Sequence, residues 1–198
     1  MENNKPILII IAGPNGSGKT TLTSKILKHE WVENCLYINP DDIAKEKFGD
    51  WNSNDAVMQS AKYCTDLRIN AIEKKQSLIF ETVFSSEEKI DFIRNAKEQG
   101  YFVRLFFVGT NHPTINASRI ARRVLKGGHA VPIPKIISRY AKSLKNCILI
   151  SNEIDRLYVY DNSIDFSESR LLFRASNGNL TKKYYEINDW ALPIFNEL

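Results

Sequence analysis

Cysteine is scarce in this chain of 198 residues: Cys35, Cys64 and Cys147 are odd in number and lack metal-ligand spacing. That rules against a disulfide scaffold or a cysteine-rich metal site and fits reduced thiols of a cytosolic protein. Long hydrophobic runs are missing too. No stretch approaches the roughly 20 apolar residues of a membrane span, and Ile7 to Ala12 is too short for a signal-peptide core. The expectation is a cytoplasmic protein with no membrane partner. Charge of one sign is also thin, 27 Lys and Arg against 23 Asp and Glu, for a net +4. A nucleic-acid binder shows a stronger basic stripe, and Trp31, Trp51 and Trp190 are scattered instead of forming a platform on which bases stack. Repeats, low-complexity tracts and Pro/Ser-rich linkers are absent, so residues 1–198 are expected to form a single domain with a sizeable core.

What is present is concentrated near the start. Gly13-Pro14-Asn15-Gly16-Ser17-Gly18-Lys19-Thr20 fits G-x-x-x-x-G-K-[ST] without mismatch, after an apolar run and before a helix-like stretch from Lys19 to Glu30. The glycines admit backbone conformations closed to other residues, so successive N–H groups converge on an anion. The helix that follows adds its positive end. In this pattern Lys19 reaches the β- and γ-phosphates, Thr20 is a Mg²⁺ ligand and Thr21 extends the phosphate contacts. The chain is expected to bind a nucleoside triphosphate.

Apolar runs alternate with helical patterns, which predicts an α/β fold around a mostly parallel sheet. Strands are expected at Ile7–Ala12, Cys35–Ile38, Ser77–Phe80, Tyr101–Val108 and Arg156–Tyr160, with two short candidates at Leu171–Arg174 and Lys183–Glu186. Val57, Ala61, Cys64, Leu67 and Ala71 recur at helical spacing and predict an amphipathic helix over residues 55–75. Further helices are expected over Ser86–Gln99, Pro113–Lys126 and Pro134–Ile150.

Ligands of such sheets lie at the carboxyl ends of the strands. There Asp41 and Asp42 follow the second strand, and Glu81 and Thr82 end the third. Asp41 is the candidate base that takes the proton of an acceptor hydroxyl, with Asp42 as cap or partner. Glu81 suits a Mg²⁺-bound water or a substrate hydroxyl, with Thr82 and Ser85 as further hydrogen-bonding groups. Arg119, Arg122 and Arg123 share one helix face, where mutual repulsion costs a few tenths of a kcal/mol per pair and a polyphosphate offsets it. Gly127-Gly128 beyond them can cap that helix or hinge a lid over residues 113–140. His129 either meets phosphate or substrate, or holds the turn. Arg139 faces the same choice, Tyr140 reads as structural, and Asp161-Asn162-Ser163 is either a turn or an adenine-side contact.

Together these segments resemble the zeta toxin family of P-loop kinases. The resemblance rests on the phosphate loop, Ile38-Asn39-Pro40-Asp41, Phe80-Glu81-Thr82, Arg119 to Val124 with Gly127-Gly128-His129-Ala130-Val131-Pro132, and Tyr160-Asp161-Asn162-Ser163, in family order. It implies a three-layer α/β/α P-loop NTPase fold with a helical lid. It also implies ATP- or GTP-dependent transfer of the γ-phosphoryl group to a sugar hydroxyl, in characterised relatives the 3′-hydroxyl of UDP-N-acetylglucosamine. By the same resemblance Lys19 and Thr20 bind phosphate and Mg²⁺, Asp41 is the base, Glu81 positions substrate, Arg119 and Arg123 clamp the phosphates, and any antitoxin is a separate chain. One departure is Val83, where sugar-phosphorylating members carry threonine. A nucleic-acid end, a nucleoside or an antibiotic is the alternative acceptor, and a nucleotide-switched interaction protein the alternative class.

Overall fold

Burial on both faces accounts for the unbroken run Ile-Leu-Ile-Ile-Ile. In the computed structural model, which describes residues 5–48, 53–128 and 130–198, strand β1 (Ile7–Ala12) lies inside a seven-stranded sheet. Its neighbours are β3 (Leu78–Thr82) and β4 (Phe102–Gly109), and Leu8 to Ala12 have no exposed surface. With β2 (Leu36–Ile38), β5 (Arg156–Asp161), β6 (Arg170–Ser176) and β7 (Asn179–Lys183), the order is β2-β3-β1-β4-β5-β6-β7. The first five positions are parallel, and β6 and β7 run antiparallel at one edge.

Register aligns the strand ends. Ala12 sits beside Thr82 on one flank and Phe107 on the other, and Gly109 beside Asp161. The loops that leave these strands therefore meet at one rim.

Alternate residues of β1 face opposite helical layers, as period-2 side-chain geometry requires. Leu8 and Ile10 pack with Cys64, Ala71 and Ile72 of α3 (Asn54–Glu73), Ile90 and Ile93 of α4 (Glu88–Glu98), and Cys147 and Ile150 of α6 (Ile133–Ile150). Ile9 and Ile11 pack with Leu22 and Ile26 of α1 (Lys19–Ile26). The result is the expected three-layer α/β/α sandwich. Helix α2 (Pro40–Lys47) starts where Asn39 accepts a hydrogen bond from the Asp41 N–H at 3.0 Å, with Pro40 at the first helical position. Helices α5 (Pro113–Val124) and α7 (Leu192–Phe195) complete the set. Among the described residues no helix is long and apolar enough to cross a membrane.

Three elements differ from expectation, the first being α1, which ends at Ile26 and not at Glu30. The buried stripe of α3 runs through Ala56, Ser60, Cys64, Arg68 and Ile72, while Val57 is 40% exposed. Cys64 and Ala71 of the expected stripe are buried and Leu67 packs against the core, but in the first turns Ala56 and Ser60 face inward in place of Val57 and Ala61, with the Ser60 hydroxyl donating to the Val57 carbonyl. The last strand lies at Asn179–Lys183, four residues earlier than Lys183–Glu186 at its start. Its position follows from the turn, since Asn177 (φ 48°) and Gly178 (φ 70°) join β6 to β7 as a two-residue hairpin with Ser176 opposite Asn179.

Gly109 ends β4 directly under the Trp190 indole, where an added Cβ would lie 2.2 Å from a ring carbon. Gly109→Ala is expected to cost about 1–3 kcal/mol through overpacking, read as a lower urea midpoint at unchanged slope.

Candidate active site

The turn after β1 is shaped by three glycines with positive φ, Gly13 at 148°, Gly16 at 76° and Gly18 at 99°. Steric room is as tight as the torsions are unusual. A Cβ on Gly13 would lie 2.2 Å from the Val108 carbonyl oxygen, and one on Gly18 2.2 Å from the Asn162 amide nitrogen. Neighbouring elements hold the loop from outside. Asn162, just past β5, donates to the Ser17 carbonyl at 2.7 Å, and Asn116 of α5 donates to the Asn15 carbonyl at 2.7 Å. Asn116 is in turn fixed by the Thr110 hydroxyl. Inside the loop the Lys19 ammonium donates to the carbonyls of Gly13 (2.9 Å) and Pro14 (3.1 Å). Burial pushes the Lys19 ammonium down from 10.5 to about 8, against the opposing pull of Glu81 and Asp41, while Arg123 and Arg139 add to the drop.

Next to the loop stands a chain of oxygen donors and acceptors. The Thr20 hydroxyl donates to one oxygen of Glu81 at 3.1 Å, and the Tyr37 phenol donates to the other at 3.2 Å. Asn39 donates to the phenol oxygen at 3.0 Å. Burial and the Glu81 charge hold the Tyr37 phenol protonated well above its ordinary range, which keeps it a donor. Glu81 is thus pinned with its carboxylate beside Thr20. A hydroxyl and a carboxylate oxygen meeting here fit a hard cation such as Mg²⁺. Among the described residues no group of three or more His, Cys, Asp or Glu is placed to hold a metal ion. Such an ion would take its remaining ligands from phosphate oxygens and water, the usual habit of Mg²⁺.

A cavity of about 690 Å³ opens from this point. Asn15, Gly16, Gly18, Lys19, Thr20 and Thr21 line it on one side, and Asp41 on the first turn of α2 lines it on another. Its cations are Lys19, Arg68, Lys89, Arg119, Arg123 and Arg139, against the carboxylates Asp41, Glu81 and Glu88. That excess of positive charge suits a polyphosphate. A second cavity of about 590 Å³ lies on the outer side of the loop, between α5 and residues 162–169. Arg119 and Arg123 border both cavities, whereas Arg122 borders only the outer one. Asp165 binds two of the three, accepting from Arg119 at 2.7 Å and from Arg122 at 2.5 Å. The Nη1 of Arg119 is buried without a hydrogen-bond partner among the described residues.

The structure therefore gathers most of the residues singled out from sequence. Asp41, Glu81, Thr82, Arg119, Arg123 and the loop from Asn15 share one cavity, while Gly13, Pro14 and Ser17 form the underlying turn. Asp42 is exposed on α2 and does not line that cavity, and His129 lies outside the described residues. Tyr140 is structural, its hydroxyl donating to the Thr110 carbonyl. Asp161 is buried, accepting from Arg170 and the Trp190 indole, and so fixes the rim. Sequence reading missed Tyr37, Asn116, Arg68, Lys89, Asp165 and Phe166. Phe166 is 98% exposed at the mouth of the outer cavity with Arg122 over its ring. None of these sits in a recognisable motif; only the four-residue spacing of Arg68 with Ser60 and Cys64 signalled that it faces inward.

Comparison with known proteins places this arrangement. The model of the zeta toxin family matches residues 1–169. An uncharacterised protein of Haemophilus influenzae is 32% identical over 132 residues, 67% of this chain and 91% of that protein. Among solved structures, one of the PezAT chromosomal toxin–antitoxin system of Streptococcus pneumoniae superposes with TM-score 0.59 at 19% identity, over 82% of this chain and 70% of that one. The AvrRxo1-ORF1:-ORF2 complex with ATP gives TM-score 0.66 at 18% identity, over 91% of this chain and 61% of that one. This chain thus spans less than two thirds of the AvrRxo1 chain, and at such identities the structural likeness shows the fold.

The buried ammonium has a measurable consequence. Folded chain releases the Lys19 proton at about 8 and unfolded chain holds it to 10.5. Below that window both states are protonated and the full burial penalty applies. Within it the unfolded state binds more protons, so this group makes stability rise with pH. Between about pH 7 and pH 10 the wild type should gain roughly 1–3 kcal/mol relative to Lys19→Met in urea unfolding. A difference that stays flat with pH would show that Lys19 is not depressed.

Proposed function

The chain belongs to the zeta toxin family, and from that premise we propose that it is an ATP-dependent small-molecule kinase acting on a hydroxyl. The acceptor we favour is a nucleotide sugar such as UDP-N-acetylglucosamine, with the protein serving as the toxin of a toxin–antitoxin pair. One observation carries the reading: the phosphate loop and the Asp41 carboxylate line the same cavity of about 690 Å³. A kinase needs both ends, whereas a nucleotide-operated switch needs only the first. The AvrRxo1 complex was solved with ATP and the PezAT system pairs a toxin with an antitoxin, which supports ATP as donor and a separate antitoxin as partner.

Each residue then has a task. Backbone N–H groups of residues 15–20 and the Lys19 ammonium receive the β- and γ-phosphates, so Lys19 exchanges two carbonyls for phosphate oxygens. Asp41 accepts the hydroxyl proton of the acceptor as its oxygen attacks the γ-phosphorus and the bond to the β-phosphate oxygen breaks. Arg119 and Arg123 sit at the border of both cavities, where they neutralise charge on the group in transit. Thr20 and Glu81 would hold Mg²⁺, which when bound offsets charge on the β- and γ-oxygens. Arg119 bonds Asp165 through Nε, which leaves its Nη1, without a partner among the described residues, for a phosphate oxygen. A lid hinged at Gly127-Gly128 over these arginines belongs to the same proposal.

Asp41→Asn removes the proton acceptor while sparing the loop. It should keep ATP affinity within about twofold and lower kcat by about 10²–10⁴. Mass spectrometry of UDP-N-acetylglucosamine incubated with ATP, Mg²⁺ and wild-type protein should show a gain of one phosphate. Transfer by Asp41→Asn at the wild-type rate would remove Asp41 from the mechanism.

A further inference from the structure

The cavity has a third cationic region that phosphoryl transfer itself does not use. Arg68 of α3 is 5% exposed, and Lys89 is the second residue of α4 with its side chain 15% exposed. Both line the cavity that holds Lys19 and Asp41, together with Thr65, Ser85 and Ser86. The carboxylate facing them is Glu88, 2.7 Å from the Lys89 ammonium but 4.0 Å from the Arg68 guanidinium and itself 60% exposed. One carboxylate against two cations leaves an excess positive charge.

Arg68 is held for display. It lies over the Phe80 ring at 5.1 Å from its centroid, with Phe92 at 5.9 Å, and among the described residues its guanidinium donates to the Thr65 hydroxyl at 2.8 Å. A guanidinium has five N–H donors, so most of its hydrogen-bonding capacity stays directed elsewhere. The facing loop is equally fixed. Asn146 of α6 donates to the carbonyls of Phe84 (3.0 Å) and Ser86 (3.2 Å), and the Phe84 N–H donates to Thr82 at 3.0 Å. A buried cation is costly unless paired. Buried Arg68, 4.0 Å from the Glu88 carboxylate oxygen it is paired with, and partly exposed Lys89 bring positive charge to one wall of the cavity, beside hydroxyls on a tethered loop.

We propose that Arg68 and Lys89 bind an anionic group of the acceptor. This inference rests on the kinase reading and narrows it: the acceptor is an alcohol that carries a phosphate or a carboxylate, which excludes neutral sugars, nucleosides and cationic antibiotics. The anion on Arg68 and Lys89 fixes one end of the molecule, and the hydroxyl is thereby aimed at Asp41 and the γ-phosphate in the same cavity.

The test fills the phosphate loop first. Protein saturated with Mg²⁺ and a non-hydrolysable ATP analogue is titrated calorimetrically with inorganic phosphate and, separately, with malonate. One anion should bind per chain. Lys89→Met and Arg68→Lys should each weaken it about tenfold, the loss of one charge-assisted contact or of the planar fork. Glu88→Gln should tighten it several-fold by removing the competing carboxylate, a gain that misfolding cannot imitate. Preference for phosphate marks a phosphorylated acceptor and preference for malonate a carboxylated one; either supports the inference. Loaded protein that binds neither anion, or binding indifferent to Lys89→Met and Glu88→Gln, would overturn it. Failure of the analogue to bind would instead overturn the kinase reading. The same titration on unloaded protein, comparing Lys19→Met with Lys89→Met, then decides this inference alone.

Discussion

Parallel, in-register pairing of β1 with β3 on one side and β4 on the other is the constraint from which the site follows. Ala12 lies beside Thr82 and Phe107, so the phosphate loop leaves the sheet at the same height as the segment carrying Glu81. Thr20 and Glu81, 61 residues apart, meet at 3.1 Å for that reason. A one-residue slip would turn every side chain of a strand to the opposite face. The apolar residues of β1 face a helical layer on each side, so burial enforces the register.

Charge is arranged against the hydrophobic tendency of the same rim. Lys19 and Arg68 are cations held with little water, and each is kept by local partners: carbonyls of the loop for Lys19, aromatic rings and a threonine for Arg68. Arg119 and Arg122 share Asp165. An incoming polyanion meets groups already desolvated and oriented, which is where electrostatic stabilisation is strongest because little reorganisation remains. Desolvation of these cations opposes folding, as seen in the depressed Lys19 ammonium and in an Arg119 nitrogen buried without a hydrogen-bond partner among the described residues.

Legibility differed by element for physical reasons. The phosphate loop was readable because backbone conformation at Gly13, Gly16 and Gly18 leaves no other residue type, and strand β1 because burial on two faces permits only apolar residues. Asp41 was readable from its place after a strand, since Asn39 and Pro40 start α2 by local rules. The first turns of α3 were not, because helical period alone does not say that Ala56 and Ser60 face inward in place of Val57 and Ala61. The final strand lies earlier than expected because the Asn177-Gly178 turn sets where β7 begins.

The sequence by itself determined the parallel sheet, the phosphate loop and the carboxylates at the strand ends, because torsional freedom, periodicity and capping act over a few residues. Tertiary structure alone decided which charges share a cavity. It placed Arg119 and Arg123 between two cavities, left Asp42 outside, and brought Arg68 and Lys89 from separate helices to one wall. Those outcomes depend on helix phase and on contacts between distant segments, and electrostatic neighbourhood is a property of distance in space that spacing along a chain does not contain.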